Sequence, residues 1–230
     1  MPSFDRVDAT LNTYFHAFDN RVKNSTRLIE LSRFKKFSTG DIIIHEADTN
    51  DIVYFILEGR VKVTNFSEKG REVWHNELVG GQTFGEVAAL TGQKRVASVI
   101  AIHATKVALI TRDEFFALIH HDASVAIWVM EELASRLKVA SQKFYELVSY
   151  SVPLRVRSEI IKLCEGNETG DNEIEITPIP NFSELARRIN TDRENVSREI
   201  SYLSKNRILK KTKTSLVILD ISYLKSNLLP

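Results

Sequence analysis

Cysteine is almost missing from this chain, with one thiol, Cys164, in 230 residues. A single thiol closes no intramolecular disulfide and fills no four-cysteine zinc or iron–sulfur site, so a reducing cytoplasm is the expected setting. Also missing is any apolar run near the roughly 20 residues that a membrane-crossing helix needs. The start, MPSFDRVDATLNTYF, has no basic patch leading into an apolar stretch, so neither secretion nor membrane insertion is expected. No excess of either charge stands out: 31 Lys and Arg against 30 Asp and Glu leave +1. Catalytic signatures are lacking too. There is no nucleophile paired with a base, no metal-ligand spacing and no triphosphate-binding loop, so an enzyme is not expected. Six histidines, at 16, 45, 75, 103, 120 and 121, form no ligand pattern. What remains is ordinary globular composition, 43% hydrophobic and 27% charged, in a length suited to one large domain or two modest ones.

From about Lys35 to Thr111 the sequence alternates short apolar segments with turns: DIIIHEA, VYFILEG, RVKVTNF, REVWHNEL, ASVIAI, KVALI. Seven of the nine glycines (40, 59, 70, 80, 81, 85, 92) fall at the breaks. Many short strands with glycine turns predict a barrel or roll. The period then changes. Ala126, Met130, Leu133, Leu137, Ala140, Phe144 and Leu147 recur at alternating spacings of four and three, an apolar seam of three heptads. It would line about 33 Å of helix and suits pairing with an identical helix. The alternative is a helix lying on its own barrel, for which Val125, Trp128, Val129 and Val139 offer a second apolar face. Ser151-Val152-Pro153 interrupts the helix and starts another, LRVRSEIIKLCEG, so this is the candidate hinge. An acidic polar loop, GNETGDNE, follows.

The balanced charge hides a local excess. Between Pro180 and Ser215 stand nine basic residues and four acidic ones. Asn181 with Glu184, then Thr191 with Glu194, read as successive capping boxes around a turn at Asn190. With Leu185, Ala186, Ile189, Val196, Ile200 and Leu203 facing inward, the pattern is a helix-turn-helix. Arg193, Glu194, Asn195, Ser197 and Arg198 crowd the start of the second helix, the part that enters a major groove, and their side chains suit base edges. Lys205, Arg207, Lys210, Lys211 and Lys213 are better suited to phosphates, and ILKKTKTSLVILD reads as a β-wing. The plainer alternative is a solvated helical hairpin whose charges only keep it soluble.

In the first half, FGEVAALTGQKRVASV leaves a strand through Gly85, turns at Glu86 and returns to a strand at Ala97. Amides near Gly85 are free to meet an anion, and Arg95, flanked by short side chains, offers a planar fork of donors to phosphate. The alternative is a surface turn closed by an ion pair between Glu86 and Arg95.

Taken together, Gly40-Asp41, Glu58-Gly59, Gly81, Phe84-Gly85-Glu86, Arg95-Val96-Ala97, the long helix and RENVSR at 193–198 resemble the CRP/FNR family of bacterial regulators from about Leu28 to Leu224. The resemblance implies an α+β chain: an N-terminal cyclic nucleotide-binding β-roll of jelly-roll type over residues 1–120, a dimerisation helix over 121–150 and a winged helix-turn-helix over 151–230. It implies that Glu86 holds the ribose hydroxyl, that Arg95 pairs with the cyclic phosphate, and that the backbone of Gly85, Val87, Val96 and Ala97 assists. Val96 stands where some relatives carry a hydroxyl, which favours cyclic AMP over cyclic GMP. Ala140 and Ser141 match a segment that contacts the base from the dimer seam. Arg193, Glu194 and Arg198 match base-reading residues, implying a palindromic DNA operator with TGTGA-like half-sites, read by a homodimer that meets RNA polymerase. Two other readings stay open: a family regulator that works without cyclic nucleotide or with another effector, and a nucleotide-binding regulatory subunit acting on a protein partner.

Overall fold

The computed structural model describes residues 15, 17–23, 25–68, 70, 72–165 and 174–228. The acidic loop expected at 166–173 lies outside the described residues. The chain divides into two compact units between Lys138 and Val139.

In the first unit, two short helices, α1 (Asn20–Lys23) and α2 (Thr26–Leu31), lead into β1 (Arg33–Phe37), β2 (Ile42–Ile44), β3 (Val53–Glu58), β4 (Arg60–Phe66), β5 (Glu72–Val79) and β6 (Thr83–Phe84). Helix α3 (Glu86–Thr91) precedes β7 (Ser98–Ala101) and β8 (Thr105–Ile110), and α4 (Arg112–His121) and α5 (Ala123–Ser149) follow. The strands form two antiparallel four-stranded sheets, in the orders β1-β8-β3-β6 and β2-β7-β4-β5. Side chains alternate faces along a strand, and β3 uses both. Tyr54 and Ile56 pack with Ile44, Val61, Leu78 and Val99 from the other sheet, forming the core of the roll. Val53, Phe55 and Leu57 point the other way, into a layer with Phe15, Phe18, Phe115, Leu118, Val125 and Trp128. A strand buried on both faces reads as an unbroken apolar run, as VYFIL does.

The expected strands are present, and two more join them. RFKKF forms β1, and Thr83–Phe84 forms the short β6. Strand β1 pairs along its whole length with β8, but its basic residues gave no apolar alternation. Helix α4 starts at a complete capping box, in which the Thr111 side chain accepts from the Glu114 backbone and Glu114 answers to the Thr111 backbone.

The long helix α5 has two apolar faces near its start. Val125, Trp128 and Val129 are buried in the first unit. Val139, expected to join them, is instead 43% exposed. Along the seam Met130, Leu137 and Phe144, seven residues apart, are 59%, 69% and 70% exposed.

In the second unit α6 (Val152–Cys164) begins at the extended Ser151 with Pro153 in its first turn. Strand β9 (Ile174–Ile176), α7 (Phe182–Arg188), α8 (Arg193–Lys205), β10 (Leu209–Lys211), β11 (Leu216–Ile218) and α9 (Ile221–Ser226) follow. The three strands form one antiparallel sheet in the order β10-β11-β9. All six residues expected to face inward between α7 and α8 are buried, in one cluster with Val156, Ile160 and Cys164 of α6.

Candidate functional site

Between β6 and α3 the chain turns through Gly85 at φ +85°, a left-handed conformation that costs a side chain about 1–2 kcal/mol. A Cβ there would also stand 2.6 Å from the Ile52 carbonyl oxygen and 2.8 Å from Arg95 Nη1. Only glycine fits this approach. The turn delivers Glu86 to the first position of α3, 3% exposed, beside Arg95, which is 4% exposed. No ion pair joins these two buried charges. The alternative of a surface turn closed by such a pair is therefore not what forms.

Each charge is answered elsewhere. Glu86 Oε1 accepts from Arg136 Nη1 at 2.7 Å, and Arg136 Nη2 also donates to the Thr83 carbonyl at 2.6 Å. Glu86 Oε2 is buried with no partner, leaving one carboxylate oxygen able to accept from a hydroxyl. Arg95 donates through Nη1 to the Gly85 carbonyl at 2.7 Å and through Nη2 to the Ile52 carbonyl at 2.6 Å. Its Nε and Nη2 share Asn50 Oδ1 at 3.2 and 2.5 Å. Burial pushes the Arg95 guanidinium below its ordinary value, while Tyr54, Asp51, Asp48 and Glu86 oppose that shift. An arginine so placed stays charged.

Arg95 is also anchored through its backbone. Its N–H donates to the Asp48 carbonyl and its carbonyl accepts from Ala47, both at 2.9 Å, so residues 45–52 form a collar around it. Of the other residues expected here, Ala97 is buried, and Val87 and Val96 are 37% and 57% exposed. The Val96 carbonyl accepts from Asn65 at 3.0 Å. Ala140 and Ser141 are exposed on α5, in the second unit.

Arg136 and Asn50 were not among the residues singled out from sequence. Arg136 left a faint trace, a Glu132/Arg136 pair at helical spacing on a helix otherwise read for its apolar seam. Asn50 left none, being one polar residue in a polar loop.

In the second unit, α7 ends in a Schellman turn: Asn190 sits at φ +52° and Thr191 N–H donates back to the Ala186 carbonyl at 2.9 Å. The Asn181 cap is as expected, accepting from Ser183 and Glu184, but Glu184 reaches Arg188 rather than closing a box. The second box is absent. Asp192, not Thr191, is the N-cap of α8, and it makes no side-chain cap bond. The Thr191 hydroxyl is instead held by Asn195 Nδ2 at 3.1 Å. Asn195 is thus half-buried in the turn, while Arg193, Glu194, Ser197 and Arg198 project from α8 into solvent. Lys205, Lys211 and Lys213 are exposed as well.

The back of α8 is fixed by charge as well as by Val196, Ile200 and Leu203. Glu199 accepts from Arg157 of α6 at 2.7 Å, and the Arg157 guanidinium lies 5.8 Å from the ring centres of Tyr202 and Tyr223. The arrangement presents a polar, mixed-charge edge on a rigid helix beside a basic hairpin. Among the described residues no group of three or more His, Cys, Asp or Glu could hold a metal ion, and no helix is long and apolar enough to cross a membrane.

Comparison with known proteins agrees with this geometry. Residues 34–122 match the family described as the cyclic nucleotide-binding domain. The chain is 26% identical over 188 residues to the cAMP-activated global transcriptional regulator CRP of Salmonella typhimurium, covering 80% of this chain and 88% of that one. It is 25% identical over 206 residues to the cAMP-activated global transcriptional regulator Vfr of Pseudomonas aeruginosa, covering 86% and 94%. Among solved structures, a CooA mutant from Carboxydothermus hydrogenoformans superposes with a TM-score of 0.79 at 19% identity, covering 97% and 98%.

Proposed function

We propose that this chain, a CRP/FNR-family transcription regulator with a cyclic nucleotide-binding domain, is a homodimer that binds a cyclic nucleotide, cyclic AMP in preference, and reads a palindromic DNA operator. Arg95 takes the cyclic phosphate. Glu86 accepts the ribose hydroxyl through Oε2, its other oxygen being held by Arg136. Gly85, Val87, Val96 and Ala97 line the phosphate side, and Ala140 and Ser141 of α5 are the positions that the family resemblance assigns to the base. The organisation we propose is an effector domain over 1–120, a dimerisation helix over 121–150 and a DNA-binding domain over 151–230.

One observation carries the nucleotide reading: two opposite buried charges, nine residues apart and both close to Gly85, do not pair with each other, and one carboxylate oxygen is left without a donor. A buried unsatisfied acceptor costs about 1–3 kcal/mol or more when charged. A ligand hydroxyl would recover that. The exposed Met130, Leu137 and Phe144 support a second copy as the partner of α5, because a seven-residue apolar repeat matches itself. The exposed Arg193, Glu194, Ser197 and Arg198 support base contact, with Lys205, Lys211 and Lys213 on phosphates. Asn195 positions the start of α8 through Thr191.

The two curated relatives are cAMP-activated by name, which favours cyclic AMP over another effector. Fluorescence anisotropy of a labelled palindromic duplex, titrated with the chain at several salt concentrations with and without cyclic AMP, tests the reading. Affinity should fall steeply with salt and rise on adding the nucleotide. DNA affinity unchanged at saturating cyclic AMP would reject the switch, and no salt-dependent binding would favour a protein partner instead.

A further inference from the structure

Arg95 presents two edges on which an anion could sit, the side-on edge of Nε and Nη2 and the end-on edge of Nη1 and Nη2. Both are in use. The end-on edge meets the Gly85 and Ile52 carbonyls at 2.7 and 2.6 Å. These are backbone atoms, and neither leaves without moving the chain. The side-on edge is closed by Asn50 Oδ1 alone, at 3.2 Å from Nε and 2.5 Å from Nη2. Asn50 is exposed, whereas Arg95 is buried, so the amide lies on the solvent side of the guanidinium. The amide's orientation is fixed by its neighbours. Its Nδ2 donates to Asp48 Oδ2 at 3.4 Å, and because arginine only donates and a carboxylate only accepts, Oδ1 must face Arg95.

We infer that Asn50 is an internal competitor for the effector's phosphate: its side-chain oxygen occupies the one edge of Arg95 that rotation of a surface side chain can vacate, so effector entry requires Asn50 to leave. This rests on the reading that Arg95 binds the phosphate. The exchange is selective. A neutral amide oxygen yields to an anion, since charge-assisted bonds are roughly twice as strong as neutral ones. It does not yield to an uncharged ligand with a single acceptor. Asn50 thus sets both a threshold concentration and a requirement for negative charge. Asp48 holds Asn50 in place, and its carboxylate with that of Asp51 adds to the repulsion an entering phosphate meets.

Isothermal titration of the full chain with cyclic AMP, and in parallel with cyclic GMP, tests this in the wild type and in Asn50→Ala, Asn50→Asp and Arg95→Gln. Asn50→Ala should tighten binding of both nucleotides about tenfold, the factor that 1.4 kcal/mol represents. Asn50→Asp puts a carboxylate on the same edge and should weaken binding at least tenfold. Arg95→Gln should abolish it. Opposite shifts from two substitutions at one exposed position cannot arise from misfolding. If Arg95→Gln abolishes binding while Asn50→Ala binds like the wild type or more weakly, or Asn50→Asp binds like the wild type, the competitor role is overturned and the phosphate reading stands. If Arg95→Gln binds as the wild type does, or no variant binds either nucleotide, the phosphate reading fails and takes this inference with it.

Discussion

Replacing Gly85 by alanine tests the site at its tightest point, and Gly40 supplies the control. Both glycines are left-handed, at φ +85° and φ +92°, so each substitution incurs about 1–2 kcal/mol of backbone strain. At Gly40 a Cβ meets nothing within 4 Å, whereas at Gly85 it meets the Ile52 carbonyl oxygen at 2.6 Å and Arg95 Nη1 at 2.8 Å. Those two atoms belong to the same network, because Ile52 accepts from Arg95 Nη2. Prising them apart weakens bonds to a buried cation, each contributing about 1.5–3 kcal/mol. Gly40→Ala should therefore cost about 1–2 kcal/mol and Gly85→Ala about 3–5 kcal/mol. The assay is favourable, since the chain's two tryptophans, Trp74 and Trp128, both lie in the first unit. Tryptophan fluorescence during urea unfolding follows that unit without interference from the second. At about 2 kcal/mol per molar urea, a gap of about 2 kcal/mol between the variants separates their midpoints by about 1 M. Coincident midpoints would mean that the Gly85 approach to Ile52 and Arg95 contributes nothing, and the geometry argued for the site would be wrong.

Arg136→Ala should destabilise the first unit by about 3 kcal/mol in the same assay, because it strands the Glu86 carboxylate, 3% exposed, without its cation; an unchanged midpoint would refute the pairing. For pH, Arg33 and the Thr111 cap hold the Glu114 carboxyl down at about 2, below its ordinary 4.5. A depressed carboxyl adds stability that is complete above the ordinary value and is lost as pH falls from about 4.5 to 2. The shift corresponds to about 3 kcal/mol, reduced to about 2 kcal/mol because water reaches the half-buried Arg33 side chain. Glu114→Gln should therefore be less stable than the wild type at pH 7 and converge with it by pH 2, as followed by urea midpoints across the range; parallel profiles would refute this.

Much of the fold was legible because its signals are periodic. The unbroken run VYFIL encodes a strand covered on both sides, the inward set of α7 and α8 encodes a core, and of the residues expected to be buried there and on the second apolar face of α5 all but one are buried. The exception, Val139, satisfies the spacing of the inner face of α5 but is the first residue of the second unit and is exposed. Periodicity states which direction a side chain points, not where its neighbours end. Strand β1 was hidden for the opposite reason. Its position between β8 and solvent asks for little apolar surface, so Lys35 and Lys36 stand where an alternating pattern would have been needed to see it.

The site divides along the same line. Gly85, Glu86 and Arg95 were readable because backbone geometry and buried charge restrict the residue type at each position, and the restriction survives in the sequence as an ordered motif. Arg136 and Asn50 are tied to them across 50 and 45 positions, and any side chain that donates, or accepts, at the right place would serve. Such a partner leaves no local pattern, yet it decides which atoms of the motif residues stay open: Arg136 takes Oε1 of Glu86 and leaves Oε2 without a donor, and Asn50 takes the Nε and Nη2 edge of Arg95. The motif therefore fixes which charged groups are buried around Gly85. If Glu86 and Arg95 hold the effector as proposed, the residues without a motif set the concentration at which they do so, and the response is easiest to change at the positions the sequence least advertises.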